Sequence, residues 1–124
     1  GDDQVIDVGQ LRIRTLHTPG HTPGATCYLV PGGVITGDTL FIGRCGRTDF
    51  TGSDPMAMYG SLRRLAALPG ETVVYPGHNY ADHPTSTIAR ERVENTHMSA
   101  PDLPEFLRRR MGPEYVTRIG RVNR

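Results

Sequence analysis

The chain has 124 residues, 36% of them hydrophobic and 22% charged, with a formal net charge of +1. That length fits one domain with a modest core. The balanced charge gives no general pull towards nucleic acid or a lipid surface, and no apolar run approaches the length of a membrane span.

Fifteen glycines and ten prolines assign much of the chain to turns and loops. The two cysteines, Cys27 and Cys45, make no framework. They predict free thiols in a reducing, cytoplasmic setting.

In chain order, Asp2 to Gln10 is polar and ends in a turn. Leu11 to Leu16 (LRIRTL) alternates apolar and polar residues, the period of a half-buried strand. The loop HTPGHTPG follows. Its prolines and glycines forbid a helix, so His17 and His21 do not share a helical face despite their spacing. Ala25 to Val30 is a second strand, Pro31-Gly32-Gly33 a hairpin turn and Val34 to Thr36 the returning strand. A glycine- and arginine-rich loop runs from Gly37 to Gly52.

Ser53 and Asp54 suit a helix N-cap, and Pro55 suits the first turn. Met58, Leu62, Leu65 and Leu68 form a helical stripe that stops at Pro69-Gly70. Thr72 to Tyr75 reads as a short buried strand. Thr85 to Glu94 reads as a helix capped by Thr85 or Ser86. Asp102 to Met111 reads as a final helix ended by Gly112-Pro113. The tail to Arg124 has no assignment.

Three of these strands end alike. LRIRTL leads to Gly20-His21, VIT to Gly37-Asp38 and TVVY to Gly77-His78. Glycine permits a close backbone approach, and strand ends are firm mounting points. Two imidazoles and one carboxylate suit Zn²⁺, Fe²⁺ or Mn²⁺. A lone histidine or aspartate in a glycine loop is more often a turn residue, and it is the repetition that points to a metal.

The motifs TPGHTPGATCYLV, ITGDTLF, CGRTDF and YPGHNY, in that order, resemble the second half of the metallo-β-lactamase superfamily. The branch they look most like is that of glyoxalase II and the persulfide dioxygenases, over most of residues 5 to 97. The resemblance implies an α/β (α+β) fold, half of a four-layer αββα sandwich, with a mixed sheet and helices on one face. Residues 1–124 would form a single domain. By motif match His21 would be a ligand of a first metal, Asp38 a bridging, catalytic carboxylate and His78 a ligand of a second metal.

The family's HxHxDH motif does not occur in these residues. The chain is therefore expected to be the C-terminal half of a fold, as a piece of a longer protein. The other readings are a natural half that pairs with a homodimer partner or another chain, and a half that only binds.

The resemblance implies a hydrolase acting on a thioester or activated ester through two zinc ions. Its alternative is a dioxygenase acting on a glutathione persulfide through one iron, with His21 and Asp38 on the metal. A third reading is a non-catalytic, self-associating half-domain. For a glutathione-linked substrate, Arg47 is a candidate carboxylate clamp, against a structural role bonded to Asp49. Tyr80 is a candidate donor to substrate, against a residue that only covers the His78 loop. Cys45 is expected to be packed, His17 to be exposed or to support a ligand, and His83 and His97 to lie on the surface. Arg108 to Arg110 end a helix and complement its dipole, which argues against a nucleic-acid site. On its own the chain is expected to bind metal weakly and to expose an apolar sheet face.

Overall fold

The computed structural model describes residues 3–78 and 83–122, and the side chains among them up to residue 119. Six strands form one mixed sheet in sequence order: β1 (Val5–Val8), β2 (Leu11–His17), β3 (Thr26–Val30), β4 (Gly33–Gly37), β5 (Val73–Pro76) and β6 (Ser86–Thr87). All neighbours are antiparallel except β4 and β5, which run parallel. The parallel pair requires a crossover. The chain makes it through the Asp38–Asp54 loop and helix α1 (Pro55–Ala66). Helices α2 (Ile88–Glu94), α3 (Leu103–Met111) and α4 (Pro113–Val122) follow β6.

The β3–β4 hairpin turns on Pro31 and Gly32, and Gly32 has φ 73°. Proline presets the first central position and glycine accepts the positive φ of the second. Helix α1 starts where Asp54 accepts bonds from the Met56 and Ala57 amides at 3.0 and 3.1 Å. Its apolar stripe buries Met58, Leu62 and Leu65 completely.

The sheet explains its two faces by alternation. Leu16, Cys27, Val34 and Val74 point inwards and meet the helices, with Ile88 from α2 and Phe106 from α3 in the same core. Their neighbours point the other way. Ile6, Val8, Leu11, Tyr28, Ile35 and Tyr75 are each at least 40% exposed. Tyr28, Ile35 and Tyr75 are register partners across three strands, so they form one continuous apolar patch. The helices thus cover one face of the sheet, as the resemblance implies, and leave the other bare.

Three elements differ from the sequence expectations. Val5–Val8 is an edge strand rather than part of a polar lead-in, although all four of its residues are exposed. Thr85 to Glu94 is not one helix. Ser86 and Thr87 pair with Val74 and Val73, and only then does Thr87 cap α2 by accepting from the Arg90 amide at 3.2 Å. The tail holds α4. Gly112, at φ 94°, ends α3, but Pro113 opens the next helix instead of closing off the chain. Among the described residues no helix is long and apolar enough to cross a membrane.

Candidate metal centre

The loop after β2 is fastened to the start of α1. Gly20 accepts from the Asp54 amide at 2.8 Å, Pro19 from the Ser61 hydroxyl at 2.7 Å and His21 from the Ser53 hydroxyl at 3.0 Å. Gly20 itself has φ 148°, and a Cβ there would lie 2.5 Å from that of Met58. Only glycine lets the loop lie this close to the helix.

The other two loops are set by the parallel pair. Gly37 ends β4 at φ 51° and hands over to Asp38, and Gly77 follows β5 and hands over to His78. The Gly77 amide donates to the Gly37 carbonyl at 2.9 Å, and a Cβ on Gly77 would sit 2.9 Å from that carbonyl. Thr18 and Thr39, both buried, join the first two loops through their hydroxyls at 3.2 Å.

The three predicted ligands consequently meet. His78 Nδ1 lies 2.8 Å from Asp38 Oδ1, and His21 Nε2 lies 3.6 Å from Asp38 Oδ2. His21 Nδ1 is 2.9 Å from the Arg47 carbonyl, which only accepts. That nitrogen must carry a proton, so in the neutral ring Nε2 presents its lone pair towards Asp38. A carbonyl behind a histidine is a familiar means of orienting a metal ligand. Aromatic edges flank both rings: Phe50 lies 5.1 Å from His21 and Phe41 lies 5.9 Å from His78, between ring centroids.

The chemistry of this donor set fits a zinc or iron site, but only as part of one. Among the described residues no group of three His, Cys, Asp or Glu side chains is arranged to hold an ion by itself. A complete site of this kind would need further ligands from outside the described residues.

The donors open on a cleft of about 550 Å³. Arg47 reaches it, but its guanidinium is engaged with Asp49, at 2.9 and 3.4 Å. The hydrogen bond from Arg47 holds the Asp49 carboxyl below its ordinary range. Tyr80 lies outside the described residues. His17 is exposed at the end of β2 and bonds the Pro23 carbonyl at 2.7 Å, and His83 is exposed.

His97 corrects the expectation of a surface residue. It is 6% exposed, lines the cleft and accepts the Cys45 amide on Nδ1 at 3.0 Å. Burial, helped by the charge of Arg110, lowers its pKa to about 4, so it is neutral at pH 7. Cys45 is packed as expected, and burial pushes its thiol up to about 12.

Sequence reasoning missed the rest of the cleft wall. Phe41, Arg44 and Arg110 also line the cleft. The turn that carries Phe41 and Arg44 is gripped by a buried polar hub. Glu91, 1% exposed, accepts from the Gly43 amide at 2.8 Å, the Ser86 hydroxyl at 2.7 Å and Asn95 Nδ2 at 2.9 Å. The Asn95 amide also donates to the Phe41 and Arg44 carbonyls, each at 3.2 Å. A glutamate and an asparagine four apart on a helix were the available signal, but the pattern is common on exposed faces.

Residues 1–78 match the metallo-beta-lactamase superfamily. The probable hydroxyacylglutathione hydrolase glo2 of Schizosaccharomyces pombe is 38% identical over 110 residues, which is 86% of this chain and 40% of that protein. The human mitochondrial persulfide dioxygenase ETHE1 is 35% identical over 101 residues, 79% of this chain and again 40% of the relative. The crystal structure of ETHE1 from Myxococcus xanthus superposes with a TM-score of 0.81 at 40% identity, covering 86% of this chain and 48% of the other. The chain therefore spans about two fifths of the length of the curated relatives it matches. It belongs to the metallo-beta-lactamase superfamily, in the branch that holds the hydroxyacylglutathione hydrolases and ETHE1.

Proposed function

We propose that this chain is the C-terminal half of a metal-dependent hydrolase that cleaves a thioester, with a glutathione-linked thiol as the leaving group. The observation that carries the reading is the meeting of His21, Asp38 and His78 at the ends of three strands. The hydroxyacylglutathione hydrolase relative supports the substrate class.

His21, Asp38 and His78 would hold part of a two-zinc site. Zinc bound there supplies Lewis acidity, making water nucleophilic at neutral pH and polarising the carbonyl under attack. Asp38 faces both imidazoles, so its carboxylate would hold metal beside either of them. The Arg47 carbonyl keeps His21 in the tautomer that offers Nε2. The apolar face of Tyr28, Ile35 and Tyr75 would pack against the remaining half of the fold, which would bring the other ligands.

The ETHE1 relatives favour a second reading, a dioxygenase with one iron that acts on a persulfide. Two imidazoles and one carboxylate with open positions suit that chemistry equally. Metal analysis of the full-length product of the gene separates the two. Two zincs per chain with thioester hydrolysis support the first reading. One iron with oxygen uptake on a persulfide supports the second. A product that holds neither metal, and that Asp38→Asn leaves unchanged, removes both.

A further inference from the structure

We infer that Arg110 is the residue by which the cleft recognises a carboxylate on its substrate. The inference rests on the cleft serving a thioester of an acidic thiol, as proposed above.

Three arginines reach the cleft, and they are not equivalent. Arg47 has its charge matched by Asp49. Arg110 has no carboxylate within ion-pair distance among the described residues, whereas its helix neighbours Arg108 and Arg109 both pair with Glu105. The α3 helix turns Arg108 and Arg109 towards that glutamate and Arg110 towards the cleft.

Its position is fixed by the main chain. Arg110 Nε donates to the Gly46 carbonyl at 3.2 Å. Gly46 presses on the donor cluster, since a Cβ there would lie 1.8 Å from the Asp38 carbonyl oxygen and 3.2 Å from His21 Nδ1. That bond, together with a contact to the Cys45 thiol, anchors a planar group beside the loop that packs on the donors. A guanidinium carries five N–H donors in a fork that matches a carboxylate, so the Gly46 bond leaves capacity for a ligand.

Asp49 feels the charge of Arg110 but is already paired with Arg47. A charge held partly out of water with only a shared, more distant counter-ion is costly, and an anionic ligand offsets that cost. His97, on the same wall, is neutral and adds no competing positive charge. The cleft therefore holds, in Arg110, a cation without a carboxylate at ion-pair distance among the described residues, on the same lining as His21, Asp38 and His78.

The test uses the full-length product with its metal and two thioesters that differ only in the thiol portion, one with a free carboxylate and one with its methyl ester. Arg110→Met should raise KM for the acid by roughly tenfold or more while moving the ester by less than about twofold. Arg110→Lys, which keeps the charge but not the fork, should fall between. Arg47→Ala should shift the ratio less than Arg110→Met does. Equal effects on both substrates, with a normal thermal melt, would overturn the inference.

A binding arm needs no turnover. The acidic thiol and its methyl ester are titrated by calorimetry into wild type and Arg110→Met. A preference for the acid that Arg110→Met abolishes upholds the role of Arg110 even if no thioester is cleaved. Thioester cleavage without any such preference upholds the proposed function and sinks the role of Arg110.

Discussion

Gly46 and Asp38 touch main chain to main chain: a methyl group on Gly46 would lie 1.8 Å from the Asp38 carbonyl oxygen. No rotamer change relieves that clash, because the obstructing atom is backbone. Gly46→Ala should therefore push the two loops apart, at a cost of about 1–3 kcal/mol in stability. In a full-length product that holds metal as proposed, it should also weaken metal retention, because Arg47, the next residue, supplies the carbonyl that orients His21. Denaturant unfolding and metal titration measure the two effects. An alanine variant as stable and as metal-loaded as wild type would contradict this.

The Glu91–Asn95 hub should behave as one unit. Glu91 accepts from the Gly43 amide, Asn95 donates to the Phe41 and Arg44 carbonyls of the same turn, and the two side chains bond each other. Glu91→Ala and Asn95→Ala should each destabilise by roughly 2–3 kcal/mol, and the double variant by clearly less than the sum. Strict additivity in a double-mutant cycle would show that the two act separately.

The fold was legible where period and punctuation agree. LRIRTL reads as a strand because its alternation is undisturbed and TVVY because it is a short apolar run bounded by turn residues, and the glycine after each marked where a side chain would be presented. Val5–Val8 was not legible, because an edge strand exposed along its whole length has no buried face to impose a pattern. Helix α4 was hidden by Gly112-Pro113, which ends one helix and starts another with the same two residues. His97 was hidden for a different reason. Its partner is the Cys45 amide, 52 residues earlier, and no local pattern reports such a contact. The Arg47–Asp49 pair, by contrast, lies two residues apart and was readable as an alternative from the start.

His97 gives the protein a pH dependence of defined sign. Its folded pKa is about 4, below the ordinary histidine value of 6.5. Between these values the unfolded chain binds a proton that the folded chain refuses. Stability from this group is complete above pH 6.5 and is lost as pH falls to about 4, by at most about 3 kcal/mol. His97→Asn should flatten the curve in that window and leave it unchanged above pH 7. Stability measured against pH in urea checks this.

Both thiols should be inert in the folded protein. Cys27 and Cys45 are buried, and burial raises both pKa values, that of Cys45 to about 12. At pH 8 a thiol-specific reagent should titrate neither until denaturant unfolds the chain. Stoichiometric labelling under native conditions would show that the cleft wall opens.

The bare sheet face should make the chain self-associate when it is produced as these residues alone. Ile35→Glu, at the centre of the Tyr28–Ile35–Tyr75 patch, should shift such a preparation towards smaller species in sedimentation. An unchanged distribution would place the contact elsewhere.

The parallel pairing of β4 with β5 separates location from identity at this site. Because Gly37 and Gly77 are joined through their peptides, the interval between positions 38 and 78 is a property of the ladder and is indifferent to which side chains stand there. Under the proposed function, exchanging aspartate or histidine at either position would change the kind of ion preferred without relocating the centre, with the frame left as it was.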